Sequence, residues 1–230
     1  MKKVSIIIPV YNEKETILEL LERVEQANFS GLEKEIILVD DCSSDGTGEI
    51  LKGLKDKYKV LSHLKNQGKG AAIRTAVKEA TGDFVVIQDA DLEYTPDDYD
   101  KLLPLLINDE ADVVYGSRFK NPDNMKKFIL KNKIANKFLT ILTNILYGAS
   151  ITDMETCYKA FKREFIQGIT IKSNRFDFEP EITAKVMKHK ARLKEVAISY
   201  NGRGHDEGKK INWKDGIHAI LTIIKYRFID

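Results

Sequence analysis

Residues 4–10 read Val-Ser-Ile-Ile-Ile-Pro-Val, a short apolar run rich in β-branched side chains. A strand with one wet face alternates apolar and polar residues. A nearly continuous apolar run belongs instead to a strand covered on both faces. Similar signals return at 35–39 (EIILV), 60–64, 83–88 (DFVVIQ) and 111–115. Helical patterns lie between them. Ile17, Leu20, Leu21 and Val24 share one face over 16–27. Residues 45–57 follow with Asp45 as the expected N-cap, then 70–80, stopped by Thr81-Gly82, and 95–107 with Pro96 in the first turn. Repeated strand–helix–strand units predict an α/β fold with a mostly parallel central sheet flanked by helices. Ligands of such sheets bind beyond the carboxyl ends of the strands. Chemistry is therefore expected just after residues 10, 39, 64, 88 and 115.

The second half is less regular. A long helical pattern spans 124–147, a loop and then a strand 152–161, a helix 178–189, a strand 193–200, a polar glycine-rich loop 201–210 and a last amphipathic helix 213–228. No repeat or Pro/Gly-rich linker interrupts the 230 residues, which predicts one domain. Apolar residues make up 43% and charged residues 31%, as in an ordinary globular protein, and a net charge of +2 demands no nucleic-acid partner. Cys42 and Cys157 lack metal-site spacing, so a disulfide framework and a zinc site are not expected. No window of ~20 residues is free of charge, and no secretory signal opens the chain. The expected location is the cytoplasm, peripheral on the inner face of the cell membrane.

Polar clusters fall where the sheet predicts them. The strongest is Gln88-Asp89-Ala90-Asp91-Leu92-Glu93. Two carboxylates two residues apart beyond a strand end can share Mg²⁺ or Mn²⁺, hard ions that take carboxylate and phosphate oxygens, and Glu93 can add a ligand. Such an ion would neutralise charge on a diphosphate leaving group. After the second strand, Asp40 and Asp41 offer acceptors to ribose hydroxyls or base N–H groups. After the first, Tyr11 can stack on a base or merely cover the sheet edge. Asn66-Gln67-Gly68-Lys69-Gly70 places glycines and a cation before a helix, where backbone can approach a ligand. The spacing is neither a P-loop nor a dinucleotide fingerprint, which counts against triphosphate hydrolysis and dinucleotide binding.

Taken in order, PVYNE at 9–13, VDDCSSDGT at 39–47, NQGKGAA at 66–72, DADLEYTPDD at 89–98 and YGSRF at 115–119 resemble the family 2 glycosyltransferases of GT-A fold. DMETCYKAF at 153–161, FEPEITAK at 178–185 and YNGRGHDEGKKI at 200–211 look like the dolichol-phosphate mannosyltransferase branch and its polyprenyl-phosphate relatives. The resemblance covers essentially the whole chain. It implies a single GT-A domain over 1–230, with a nucleotide-sugar half to about 118 and an acceptor half from about 119. It implies metal-dependent, inverting transfer of a hexose. Pro9, Tyr11, Glu13 and Asp41 would line the nucleoside pocket and Lys69 would sit near base and ribose. Asp89 and Asp91 would hold metal and diphosphate, and Arg118 and Arg203 would bind phosphates of acceptor and donor. Many mannosyltransferases of this branch have Ser or Gln where this chain has Glu93, so the donor stays open between GDP-mannose and UDP-glucose, or another sugar.

Residues 125–147 bear on the acceptor. Lys126, Lys127, Lys131, Lys133 and Lys137 accompany apolar residues at helical spacing, with no acid between Asp123 and Asp153. Such a helix suits a membrane interface or a packed helix with a solvated lysine face; the resemblance favours the membrane. The implied acceptor is a polyprenyl or dolichyl phosphate, held by Arg118 and by lysines such as Lys131. A phosphate monoester has a second pKa of ~6 and attacks without a strong protein base. A saccharide hydroxyl would need one, and Asp153 and Glu155 are the base candidates. The loop 201–210, with Arg203, His205, Lys209 and Lys210, is expected to close over the diphosphate. A non-catalytic nucleotide-sugar-binding domain is the alternative from another class.

Overall fold

The computed structural model describes residues 1–126, 130–202 and 213–229. The described strands form one sheet: β1 (Lys3–Val10), β2 (Glu33–Asp40), β3 (Lys59–Ser62), β4 (Phe84–Ile87), β5 (Val113–Ser117), β6 (Lys159–Lys162) and β7 (Leu193–Ala197). Their order is β3-β2-β1-β4-β6-β5-β7. The pairs β1–β2, β1–β4, β2–β3 and β5–β7 are parallel, while β6 runs antiparallel to both β4 and β5. The expectation of a mostly parallel sheet holds. The predicted strand at 152–161 proves to be β6, placed between β4 and β5 and reversed.

The run at 4–10 does what its composition requires. Ile6, Ile8 and Val10 enter one core with α1 (Ile17–Gln26) and α4 (Tyr99–Ile107). Ile7 enters the opposite core with α3 (Lys69–Glu79) and α7 (Phe178–Lys188). Burying each such side chain contributes about 1.5–3 kcal/mol. A one-residue slip would exchange the two sets, so the two cores together fix the register.

Several boundaries differ from expectation. The helix expected over 45–57 is only α2 (Thr47–Lys52). Gly46 caps it at φ 99°, a left-handed conformation suited to glycine. Asp45 lies one residue outside, accepting the Thr47 N–H at 2.9 Å. The pattern at 124–147 divides into a 3-10 turn, Pro122–Lys126, and α5 (Leu130–Tyr147). A short helix, α6 (Arg163–Gly168), was not expected. α8 (Trp213–Phe228) packs against α5 around Leu139, Ala219 and Ile223. Among the described residues, no helix is long and apolar enough to cross a membrane.

Candidate active site

The carboxyl ends of β1, β2 and β4 are each followed by a non-glycine residue in the left-handed region: Asn12 at φ 53°, Cys42 at 64° and Leu92 at 62°. Such residues cost of order 1–3 kcal/mol and gather where function over-determines the backbone. Here side chains and backbone stitch the turns together. Asn12 Oδ1 accepts the Ser44 N–H at 2.8 Å, and the Glu13 N–H donates to Thr47 Oγ1 at 3.0 Å. Glu13 is buried, its carboxylate accepting the Thr16 hydroxyl at the start of α1. Pro9 and Tyr11 are half-buried at the same edge.

Asp41 anchors the next loop. Its carboxylate accepts the Gln67 N–H at 2.9 Å and the Gly68 N–H at 2.6 Å, and meets His63 Nδ1 at 2.7 Å. Asp40 accepts the Ser43 N–H. The glycines after Gln67 serve the fold itself. A Cβ on Gly68 would meet the Asn174 carbonyl oxygen at 2.4 Å, and one on Gly70 the Ser173 carbonyl oxygen at 2.6 Å. The backbone they approach is the chain's own 173–175 segment, not the ligand expected from the sequence.

The acidic turn follows β4. Asp91 Oδ1 accepts the Glu93 N–H at 3.1 Å. The Ala90 carbonyl accepts the Thr16 hydroxyl at 2.8 Å, which ties the turn to α1. Asp89 pairs with Lys69 at 2.6 Å, and the Lys69 ammonium also donates to Cys157 Sγ at 2.9 Å. Burial works against the charge on Asp89, but the Lys69 ammonium, with Cys157 and Lys159, holds the carboxyl below its ordinary range. Lys69 thus stands against the acidic turn, a position its loop did not reveal.

Asp89 and Asp91 supply hard oxygen donors suited to Mg²⁺ or Mn²⁺, which are commonly held by one or two carboxylates with phosphate and water completing the shell. The pair fits that role. A closed protein cage does not form: no three Asp, Glu, His or Cys side chains gather in metal-holding geometry among the described residues. Glu93, expected as a further ligand, accepts the Tyr200 hydroxyl at 3.0 Å.

Beyond β5, Arg118 forms a two-pronged pair with Asp153, Nε to Oδ2 at 2.7 Å and Nη2 to Oδ1 at 2.8 Å. Its guanidinium lies 5.2 Å from the Tyr200 ring centroid. Asp153 is fully buried and also accepts the Arg118 N–H. The following residue, Met154, donates its N–H to Thr140 Oγ1, which ties this loop to α5. Glu155 differs: its Oε1 is sealed from solvent without a hydrogen-bond partner among the described residues. Burial, then the Glu179 carboxylate, pushes its carboxyl up to about 7. Lys131 is exposed on α5. Arg203, His205, Lys209 and Lys210 lie outside the described residues.

Sequence reasoning passed over Glu179 and Lys159. Lys159 is fully buried within β6, paired with Glu179 and 4.6 Å from the Tyr115 ring centroid. A lysine inside the strand pattern at 152–161 was the available signal, because a buried lysine needs a partner.

Residues 5–170 match the sequence profile of Glycosyl transferase family 2. The chain is 31% identical over 217 residues to a UDP-N-acetylglucosamine--dolichyl-phosphate N-acetylglucosaminyltransferase of Methanococcus voltae, covering 86% of this chain and 85% of the relative. It is 33% identical over 211 residues to a dolichol-phosphate mannosyltransferase of Pyrococcus furiosus, covering 90% of this chain but 59% of that longer protein. A glucosyl-3-phosphoglycerate synthase from Mycobacterium tuberculosis, solved with Mn²⁺, UDP and phosphoglyceric acid, superposes with TM-score 0.75 at 17% identity, over 100% of this chain and 80% of that one. The fold is GT-A, as the ordered motifs implied.

Proposed function

The chain belongs to glycosyl transferase family 2, and from that premise we propose that it transfers a hexose from a nucleoside diphosphate sugar to a polyprenyl or dolichyl phosphate at a membrane surface. The observation that carries this reading is an apolar helical platform in a domain that also presents the acidic strand-end turn. The platform exposes Ile134, Phe138, Ile141 and Ile145 on α5, and Ile217, Leu221, Ile224 and Phe228 on α8. Both stripes repeat at steps of four, three and four residues. Tyr147 on α5 donates to the Ile223 carbonyl of α8 at 2.7 Å, holding the helices side by side. Lys131, Lys137, Lys225 and Arg227 are exposed on the same helices. Leu130–Tyr147 contains no acid and Trp213–Phe228 only Asp215. An apolar face edged with cations suits an anionic lipid surface.

In this reading residues to about 118 bind the donor and those from about 119 the acceptor. Asp89 and Asp91 would hold Mg²⁺ or Mn²⁺, which when bound offsets charge on the leaving diphosphate. Pro9, Tyr11, Glu13, Asp40 and Asp41 frame the nucleoside, and Arg118, its plane fixed by Asp153, meets the acceptor phosphate. An acceptor phosphate oxygen forms the new bond at the anomeric carbon. The bond from that carbon to the nucleoside diphosphate breaks on the opposite side, which inverts the centre. The phosphate needs no protein base, and the engagement of Asp153 with Arg118 supports that choice over a saccharide hydroxyl.

Purified protein incubated with Mg²⁺ or Mn²⁺, a short polyprenyl phosphate, and GDP-mannose, UDP-glucose or UDP-N-acetylglucosamine tests the reading by mass spectrometry. The expected result is one lipid-phosphate monosaccharide, lost with EDTA and reduced at least about 100-fold by Asp91→Ala. Turnover confined to saccharide acceptors would overturn the lipid-phosphate reading.

A further inference from the structure

Behind the acidic turn lies a buried file of alternating charge: Asp89, Lys69, Glu179, Lys159. The Lys69 and Lys159 side chains are 13% and 0% exposed, and that of Glu179 is 4% exposed. Lys159 pairs with Glu179 Oε2 and also donates to the Met154 and Thr156 carbonyls. Glu179 Oε1 is sealed from solvent and has no hydrogen-bond partner among the described residues. The Lys69 ammonium lies 3.6 Å from that oxygen while sitting on Asp89 at 2.6 Å. A buried carboxylate oxygen without a donor is costly to maintain.

The two carboxylate contacts of Lys69 are mutually adjustable. Its ammonium has three donors on a flexible stem. A divalent cation at Asp89 would compete for the same carboxylate and repel the ammonium. A shift of less than about 1 Å would bring Nζ from ion-pair range into hydrogen-bond range of Glu179 Oε1. We propose that Glu179 is the receiving partner for Lys69, taking its ammonium when a metal–nucleotide diphosphate claims Asp89. Glu179 is then a positioning residue that sets the affinity of the donor site without touching the donor. This rests on the metal–diphosphate reading above.

The test is isothermal titration calorimetry of the full chain with Mn²⁺ plus UDP or GDP, whichever binds the unaltered protein. Glu179→Gln keeps the shape and an acceptor for Lys159 but removes the charge that receives Lys69. It is expected to weaken Mn²⁺–nucleotide binding at least about tenfold. Lys69→Met removes the competing ammonium, so Mn²⁺ binding should tighten, and adding Glu179→Gln to that background should change the affinity less than about twofold. Equal weakening in both backgrounds would mean a purely structural Glu179 and overturn the proposal. So would unchanged binding by Glu179→Gln, or unchanged Mn²⁺ binding by Lys69→Met, which remains informative if the Glu179 variant does not fold. An unaltered chain that binds no Mn²⁺–nucleotide at all would remove the underlying reading as well.

Discussion

Glu155 gives the residue scale its clearest consequence. Its carboxyl is raised to about 7 from an ordinary 4.5. Between those values the folded chain holds a proton that the unfolded chain has released. Stability therefore falls as pH rises through that window and levels off above about 7. Glu155→Gln should flatten this slope. The melting temperature of the variant relative to the unaltered chain should climb from pH 5 to pH 8, with a gain of ~2 kcal/mol at the upper end, followed by thermal unfolding across pH. A constant difference would mean that Glu155 has no raised value in the folded chain. The sequence could place Glu155 in a loop beside Asp153, but could not separate their roles. Two carboxylates two residues apart look alike until one is seen engaged with Arg118 and the other closed off from any donor. The left-handed backbone at Asn12, Cys42 and Leu92 was equally hidden, because none of them is the glycine that normally advertises it.

At the scale of elements, α5 and α8 divide the labour differently from the other helices. α1 buries Ile17, Leu20, Leu21 and Val24 in the sheet's core, whereas α5 and α8 bury one side between themselves and keep another outward. Phe138→Glu together with Leu221→Glu should abolish co-sedimentation with anionic vesicles. Secondary structure and the melting temperature should change little, since both side chains are already exposed, at 55% and 58%. Retained binding, or equal binding to neutral vesicles, would remove the membrane role of the platform. The amphipathic pattern of α5 was legible from its lysine and isoleucine spacing. That α8 completes the surface was not, because a helical period tells which residues share a face but not which neighbour covers it.

Across the whole molecule, the parallel β1–β2–β3–β4 region was readable because β1, β2 and β4 each carry a continuous apolar stretch and helical patterns recur between the strands. The reversal of β6 was not. Its four residues, Lys159–Lys162, begin and end in lysine and carry no mark of direction. Yet β6 is where the sheet closes: β4 and β5 are 25 residues apart in sequence, from Ile87 to Val113, and meet only through it. During synthesis, then, the ribosome releases β1 to β5 as two unjoined pieces of a sheet, each with an open edge, until residue 162 clears the exit tunnel. Nascent chains stalled before that point should be digested by protease in a pulse experiment, and chains stalled well beyond it should resist. The same late strand carries Lys159, and its partner Glu179 lies further along the chain, so that buried pair forms only after the strand that seals the sheet has emerged. A translating chain cannot hold a finished donor site on an unfinished scaffold.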